Sequence, residues 1–261
     1  MRAAALAALL QADPDRKLAA VRAAAVSAAV DAGTHFDEPA GVPGRPGKPD
    51  LVPPSKVRQR SMHTPQGRAA LVHSLAHIEF NAINLALDAI WRFPDMPHAY
   101  YADWLRVAHD EACHFGLLRR HLRALGHDYG DFPAHDGLWE MAWRTRGDVL
   151  ARLALVPRTL EARGLDASPL VRDKLKAAGD LAGARLIEII LHDEIGHVAV
   201  GNFWYRYLCG KAGLDPLRTY QSLAVKYRAP RLRGPFNTQA RRAAGFTEPE
   251  LEALRHDALG V

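Results

Sequence analysis

His109-Asp110-Glu111-Ala112-Cys113-His114 and His192-Asp193-Glu194-Ile195-Gly196-His197 are two versions of one six-residue pattern. Each holds a Glu-x-x-His, and residues three apart project from the same face of a helix. Apolar neighbours share each face. Ala108, Phe115, Leu118 and Leu122 surround the first, and Ile190, Leu191, Val198 and Gly201 the second. One such tetrad occurs by chance in many helical proteins. Two of them, each introduced by His-Asp and each set in an apolar stripe, place carboxylates and imidazoles where an uncompensated charge is costly.

Working outward, a bundle that takes a Glu-x-x-His from each of two helices takes one Glu from each of the other two. Val72, Leu75, Ala76, Ile83, Ala86 and Ile90 form a stripe at three- and four-residue spacing, with Glu79 in its middle. Glu161 continues the stripe of Leu150, Leu153, Ala154 and Pro157. Glu111 follows Glu79 by 32 positions and Glu194 follows Glu161 by 33, so the chain reads as two similar helix hairpins. Glu161 lies before Gly164 and four residues after Pro157, which is expected to kink the helix and turn this carboxylate toward the ions. Glu140 and Glu188 are the substitutes if it does not. Glu188 precedes Glu194 by six, about 240° around the helix, and should face elsewhere.

The expected ligand set is therefore Glu79, Glu111, His114, Glu161, Glu194 and His197. Carboxylates and imidazoles suit iron or manganese, and bridging carboxylates hold two cations close together. We expect two metal ions, iron first and manganese as the alternative. Asp110 and Asp193, each beside a ligand Glu, are expected to orient imidazoles by hydrogen bonding. His77, His109 and His192 stand two residues before a ligand Glu, about 200° away, and with His73 are read as bonding loops or solvent. Tyr100, Tyr101, Trp104, Phe115, Phe203 and Trp204 are read as core, with a substrate pocket as the alternative.

The 261 residues can bury a sizeable core. Ala and Leu dominate without β-branched alternation, which favours an all-α chain. The net charge of +5 permits an acidic partner without demanding one. Cys113 and Cys209 form no CxxC pair and are expected to be buried free thiols in a reducing compartment. Ala3 to Leu10 lacks a cleavage site, and no apolar run is long enough for a bilayer. We expect a cytoplasmic protein with no membrane partner.

Local signals divide the chain into parts. Residues 1–60 read as small N-terminal helices, with Asp13 capping and Pro14 at the first helical position, ended by Gly33 and followed by a proline-rich extended strap over 39–54. Residues 61–210 read as a four-helix core with helices near 65–93, 97–125, 137–163 and 180–209. Asp136 is the expected cap of the third, and Ser168-Pro169 starts a short extra helix. Residues 211–261 read as a C-terminal helical extension. It opens at Asp215-Pro216, ends in a helix behind the capping box Thr247-Glu248-Pro249-Glu250, and contains a basic segment, 226–246. There, Lys226, Arg228, Arg231, Arg233, Arg241 and Arg242 occur without an acid. They read as a solvated arm, with RNA phosphate contact as the alternative.

The ligand pattern resembles that of the ferritin-like di-iron carboxylate superfamily. The strings AHIEFNAINLALDAIWRF, DFPAHDGLWEMA, LVPRTLEARGLD and HDEIGHVAVG resemble one bacterial family, DUF455. The likeness runs from about Asp50 to Phe246. It implies a ferritin-like four-helix bundle with additional N- and C-terminal helices and a metal site. More distantly, the ligands are similar to those of tRNA hydroxylases of the same fold. The function expected is an oxidoreductase that activates O2 toward an organic substrate, a small molecule or RNA. The alternative is an iron-handling or peroxide-scavenging protein without such a substrate.

Overall fold

The computed structural model describes residues 1–58 and 60–259, with the side chains of 257–259 left aside. The regular structure of the described residues is helical, with no strand. The chain divides into two compact units, Met1–Trp139 and Glu140–Val261. This boundary falls inside the stretch expected as the core, between its two hairpins. The last two positions of the expected C-terminal extension, and Gln59 in the expected N-terminal part, lie outside the described residues.

In the first unit, α1 (Arg2–Leu9) and α2 (Pro14–Ala23) are the small helices expected. Asp13 caps α2 by accepting from the Arg16 N–H at 2.9 Å. Gly33 does not end α2, which stops ten residues earlier at Ala23. Residues 24–53 contain no helix. The strap is pinned to the loop before residue 137. Ala134 N–H donates to Asp50 O at 3.0 Å, Val52 N–H donates to Ala134 O at 2.8 Å, and Arg45 pairs with Asp136 at 2.7 Å.

α3 (Pro65–Arg92) begins where Thr64 Oγ1 accepts from the Gly67 N–H at 3.0 Å, with Pro65 needing no donor at the first helical position. From Glu79 to Trp91 every residue is buried. A helix enclosed all round lies at the centre of a packed structure rather than on its surface. α4 (His98–Ala124) packs along it, and α1 packs on it as well.

Arg2 explains how α1 is held. Its side chain is buried, and Nη1 donates to Asp31 O at 2.9 Å and to Ala32 O at 3.0 Å. Nη2 donates to Trp91 O at 2.7 Å, satisfying a carbonyl in the last turn of α3. Lys17 performs a similar task, donating to Leu9 O at 2.7 Å in the last turn of α1.

α5 (Gly137–Arg144) carries the boundary between the units. The single helix expected over 137–163 is not observed. Asp148 caps a separate helix, α6 (Val149–Leu155), by accepting from the Ala151 N–H at 2.9 Å. A π-helical turn, Val156–Glu161, follows and runs directly into α7 (Ala162–Ala177). Gly164 does not stop this helix, and Pro169 lies inside it rather than opening a new one. Pro157 cannot donate a backbone hydrogen bond, and the widened turn accommodates that loss without ending the helix.

α8 (Leu181–Ala212) starts at Asp180, which accepts from the Gly183 N–H at 2.8 Å, and ends at Gly213 in the left-handed region, φ 66°. α7 and the π turn both pack against α8. α9 (Pro216–Lys226), α10 (Thr238–Ala243) and α11 (Glu248–Leu259) complete the second unit. Asp215 caps α9, and the Glu250 carboxylate accepts from the Thr247 N–H at 2.8 Å, as the capping box requires. No helix of the described residues is long and apolar enough to cross a membrane.

Candidate metal centre

The first unit brings three of the expected ligands together. Glu79 projects from the buried stretch of α3, and Glu111 and His114 from one face of α4. Their relative exposures are 5%, 1% and 1%, so water offsets almost none of their charge. His114 Nδ1 lies 3.3 Å from Glu79 Oε2 and 3.4 Å from Glu111 Oε2. One ligand atom from each of the three lies within 4.8 Å of the others, and the group could hold a metal ion.

The electrostatics describe a site short of positive charge. Burial, and then the neighbouring Glu111 carboxylate, push the Glu79 carboxyl up to about 8. Burial alone would depress the His114 imidazole, yet Glu111 and Glu79 outweigh it and raise it to about 11. Among the described residues no lysine or arginine pairs with Glu79, and its Oε2, sealed from solvent, has the His114 ring at 3.3 Å as an ion-pair partner but no well-formed hydrogen bond. One imidazole shared by two buried carboxylates leaves an excess of negative charge, which is costly unless a further cation answers it. The donor set and this excess charge fit a divalent metal.

In the second unit, α8 repeats the arrangement. Glu194 and His197 are both buried, and His197 Nδ1 lies 3.3 Å from Glu194 Oε1. The spacing matches that of Glu111 and His114, as the shared sequence pattern implies. Glu161 is the last residue of the π turn. It is half-buried, and its Oε2 is out of reach of solvent. The two substitutes are surface groups. Glu188 bonds Lys176 at 2.8 Å, and Glu140 lies 3.9 Å from Arg144. Asp110 is exposed on α4, and Asp193 is half-buried on α8.

Three of the extra histidines bond backbone groups distant in sequence, and the fourth faces solvent. Gly130 N–H donates to His73 Nε2 at 2.9 Å, and His77 Nε2 donates to His135 O at 3.1 Å. Burial holds both imidazoles down near about 4. His109 Nε2 donates to Val21 O at 2.8 Å, and His192 is exposed. Tyr100, Tyr101, Trp104, Phe115 and Trp204 are core residues, whereas Phe203 is 58% exposed. Cys209 is buried as expected, but Cys113 is exposed, because it stands on α4 between Glu111 and His114 and turns away from both.

The basic segment is partly committed to structure. Arg241 is buried and pairs with Asp166 at 2.6 Å, and Arg242 is bound to Glu248. Sequence reasoning passed over Arg158, whose guanidinium pairs with Glu250 at 2.8 Å and lies against Tyr205, Tyr220 and Phe246. Its only local signal was an arginine set in the apolar stripe Leu153-Ala154-Leu155-Val156-Pro157.

With helices and carboxylates in place, the class is an all-helical protein with a buried Glu/His group able to hold a metal. Residues 10–252 match the family described as Protein of unknown function (DUF455), and the chain belongs to that family. It is 51% identical over 214 residues to an uncharacterized protein of Haemophilus influenzae (strain ATCC 51907 / DSM 11121 / KW20 / Rd), covering 79% of this chain and 74% of that one. No solved structure matches the chain.

Proposed function

We propose that residues 61–210 form one ferritin-like four-helix core, in which Glu79, Glu111, His114, Glu161, Glu194 and His197 hold two metal ions. Iron is the first choice and manganese the second. The observation that carries this reading is the pair of sealed carboxylates, Glu79 and Glu111, that share the single imidazole of His114. The repeated 3.3–3.4 Å Glu–His spacing on α4 and α8 supports treating the two Glu-x-x-His sets as equivalent. With its ligand carboxylates ionised, such a site suits a dinuclear centre of the kind built from paired helix hairpins.

The function that follows is an oxidoreductase that activates O2 toward an organic substrate. A pair of bound redox metals would supply the electron-transfer chemistry with oxygen. The protein's own contribution is burial. Glu79, Glu111 and His114 are nearly closed to water, which preserves their donor set and limits unproductive reaction with solvent. Asp110 and Asp193 would orient the imidazoles. A small-molecule substrate is favoured over RNA, because Arg241 and Arg242 are occupied by Asp166 and Glu248. A cytoplasmic location is part of the same proposal, since two unpaired cysteines suit a reducing compartment.

The test is oxygen consumption by protein reconstituted with ferrous iron, followed with and without Glu111→Ala. Uptake that depends on Glu111 supports the reading. Equal uptake by the variant contradicts it.

A further inference from the structure

In the second unit, a cavity of about 540 Å³ opens between α9, the segment after it, and α11. That volume lies in the range of small-molecule sites, about 300–1,000 Å³. Leu217, Leu232 and Leu254 give it an apolar wall, and Tyr220 and Phe246 offer aromatic surface. Its charge is one-sided. Arg158, Arg228, Arg231 and Arg241 line it with the carboxylate of Glu250, and Arg241 is already paired with Asp166.

That carboxylate is already shared. Arg158 Nη2 and Arg206 Nη2 each donate to Glu250 at 2.8 Å, and the Thr247 N–H donates to it as well. Arg158 is 3% exposed, and its Nε and Nη1 have no hydrogen-bond partner among the described residues. Its guanidinium carbon lies over the rings of Tyr205 at 4.5 Å, Phe246 at 5.1 Å and Tyr220 at 5.6 Å. Ring faces attract the cation but do not accept its in-plane N–H groups as a carboxylate or phosphate oxygen does. Arg228 stands exposed at the rim with φ +51°, a backbone conformation uncommon for a non-glycine residue and frequent where a loop serves a ligand.

We propose that this cavity binds a small organic phosphate, its phosphate held by Arg158 and Arg228 and its organic body lying on Tyr220, Phe246 and the leucine wall. Two guanidinium groups, Arg158 and Arg228, favour a dianion over a monoanion, and they match phosphate oxygens in geometry. The apolar wall would be left unused by inorganic phosphate alone. The inference stands on the second unit and does not depend on the metal reading.

The test uses the full chain and calorimetric titration with phenyl phosphate, inorganic phosphate and benzoate as probes. Phenyl phosphate is expected to bind tightest. Arg228→Ala, at an exposed position outside the packed core, should weaken it by about tenfold, as expected for loss of a charge-assisted contact. Arg158→Lys should weaken it further while keeping a cation beside Glu250. If that variant fails to fold, Arg228→Ala still decides. No saturation by about 10 mM phenyl phosphate would overturn the proposal, since affinity that weak is not specific recognition. Equal binding by Arg228→Ala, or benzoate binding as tightly as phenyl phosphate, would overturn it too. So would binding of single-stranded RNA in the absence of any phenyl phosphate binding.

Discussion

Gly201 on α8 leaves the space that Pro157 fills: a Cβ at Gly201 would stand 2.5 Å from the Pro157 Cβ. A proline ring cannot swing aside as a flexible side chain can, so this close approach ties α8 to the π turn. Glu161 ends that turn, and Glu194 and His197 sit one to two helical turns before Gly201.

Gly201→Ala should therefore disturb the turn as well as stability. Overpacking of this kind costs about 1–3 kcal/mol. The variant is expected to have a lower urea midpoint and reduced metal content after reconstitution. A variant with wild-type midpoint would show that the contact relaxes without strain.

Replacing Arg2 with Met should be among the most damaging changes outside the proposed metal ligands. The guanidinium serves the buried carbonyl of Trp91 and the part-buried ones of Asp31, Ala32 and Thr34, and its loss leaves the Trp91 acceptor unanswered. A destabilisation of roughly 2–4 kcal/mol is expected. Denaturant unfolding of Arg2→Met against wild type measures it, and a change below about 1 kcal/mol would contradict the anchoring role.

Acid sensitivity should report on Glu250. Burial alone would raise its carboxyl, but Arg158, the Thr247 N–H and Arg206 hold it down near about 2. The folded value lies below the unfolded one, about 4.3. The group thus contributes stability above the unfolded value and loses it as pH falls toward about 2. In Glu250→Gln the protein should be weaker at neutral pH, and the gap from wild type should narrow between about pH 4.3 and pH 2. Thermal midpoints across that window test the sign, and a gap that widens on acidification would refute it.

Much of this was legible locally. Asp13 as the cap of α2, and apolar periodicity bounded by Pro and Gly, place α2, α3, α4 and α8 within a few residues of their observed starts. The Glu111 and His114 pair was legible because its geometry is set by three residues of one helix. The stretch 137–177 was not. Gly164 and Pro169 look like breakers, yet helical packing against α8 overrides them, while Asp148 starts a helix where the pattern ran on. Arg158 and Glu250 are 92 residues apart, and no local period announces a pair that only tertiary structure creates. The exposed Cys113 follows from its angle on α4, which residue type alone obscures.

The central claim is that Glu79, Glu111, His114, Glu161, Glu194 and His197 bind metal as one set, and elemental analysis tests it most directly. Protein purified without added metal, and again after iron loading, is measured beside Glu111→Ala/Glu194→Ala and beside Glu188→Ala as a control on a surface ion pair. We predict about two iron or manganese ions per loaded wild-type chain, the same for Glu188→Ala, and a sharp loss in the double variant. Full metal content in the double variant would contradict the account.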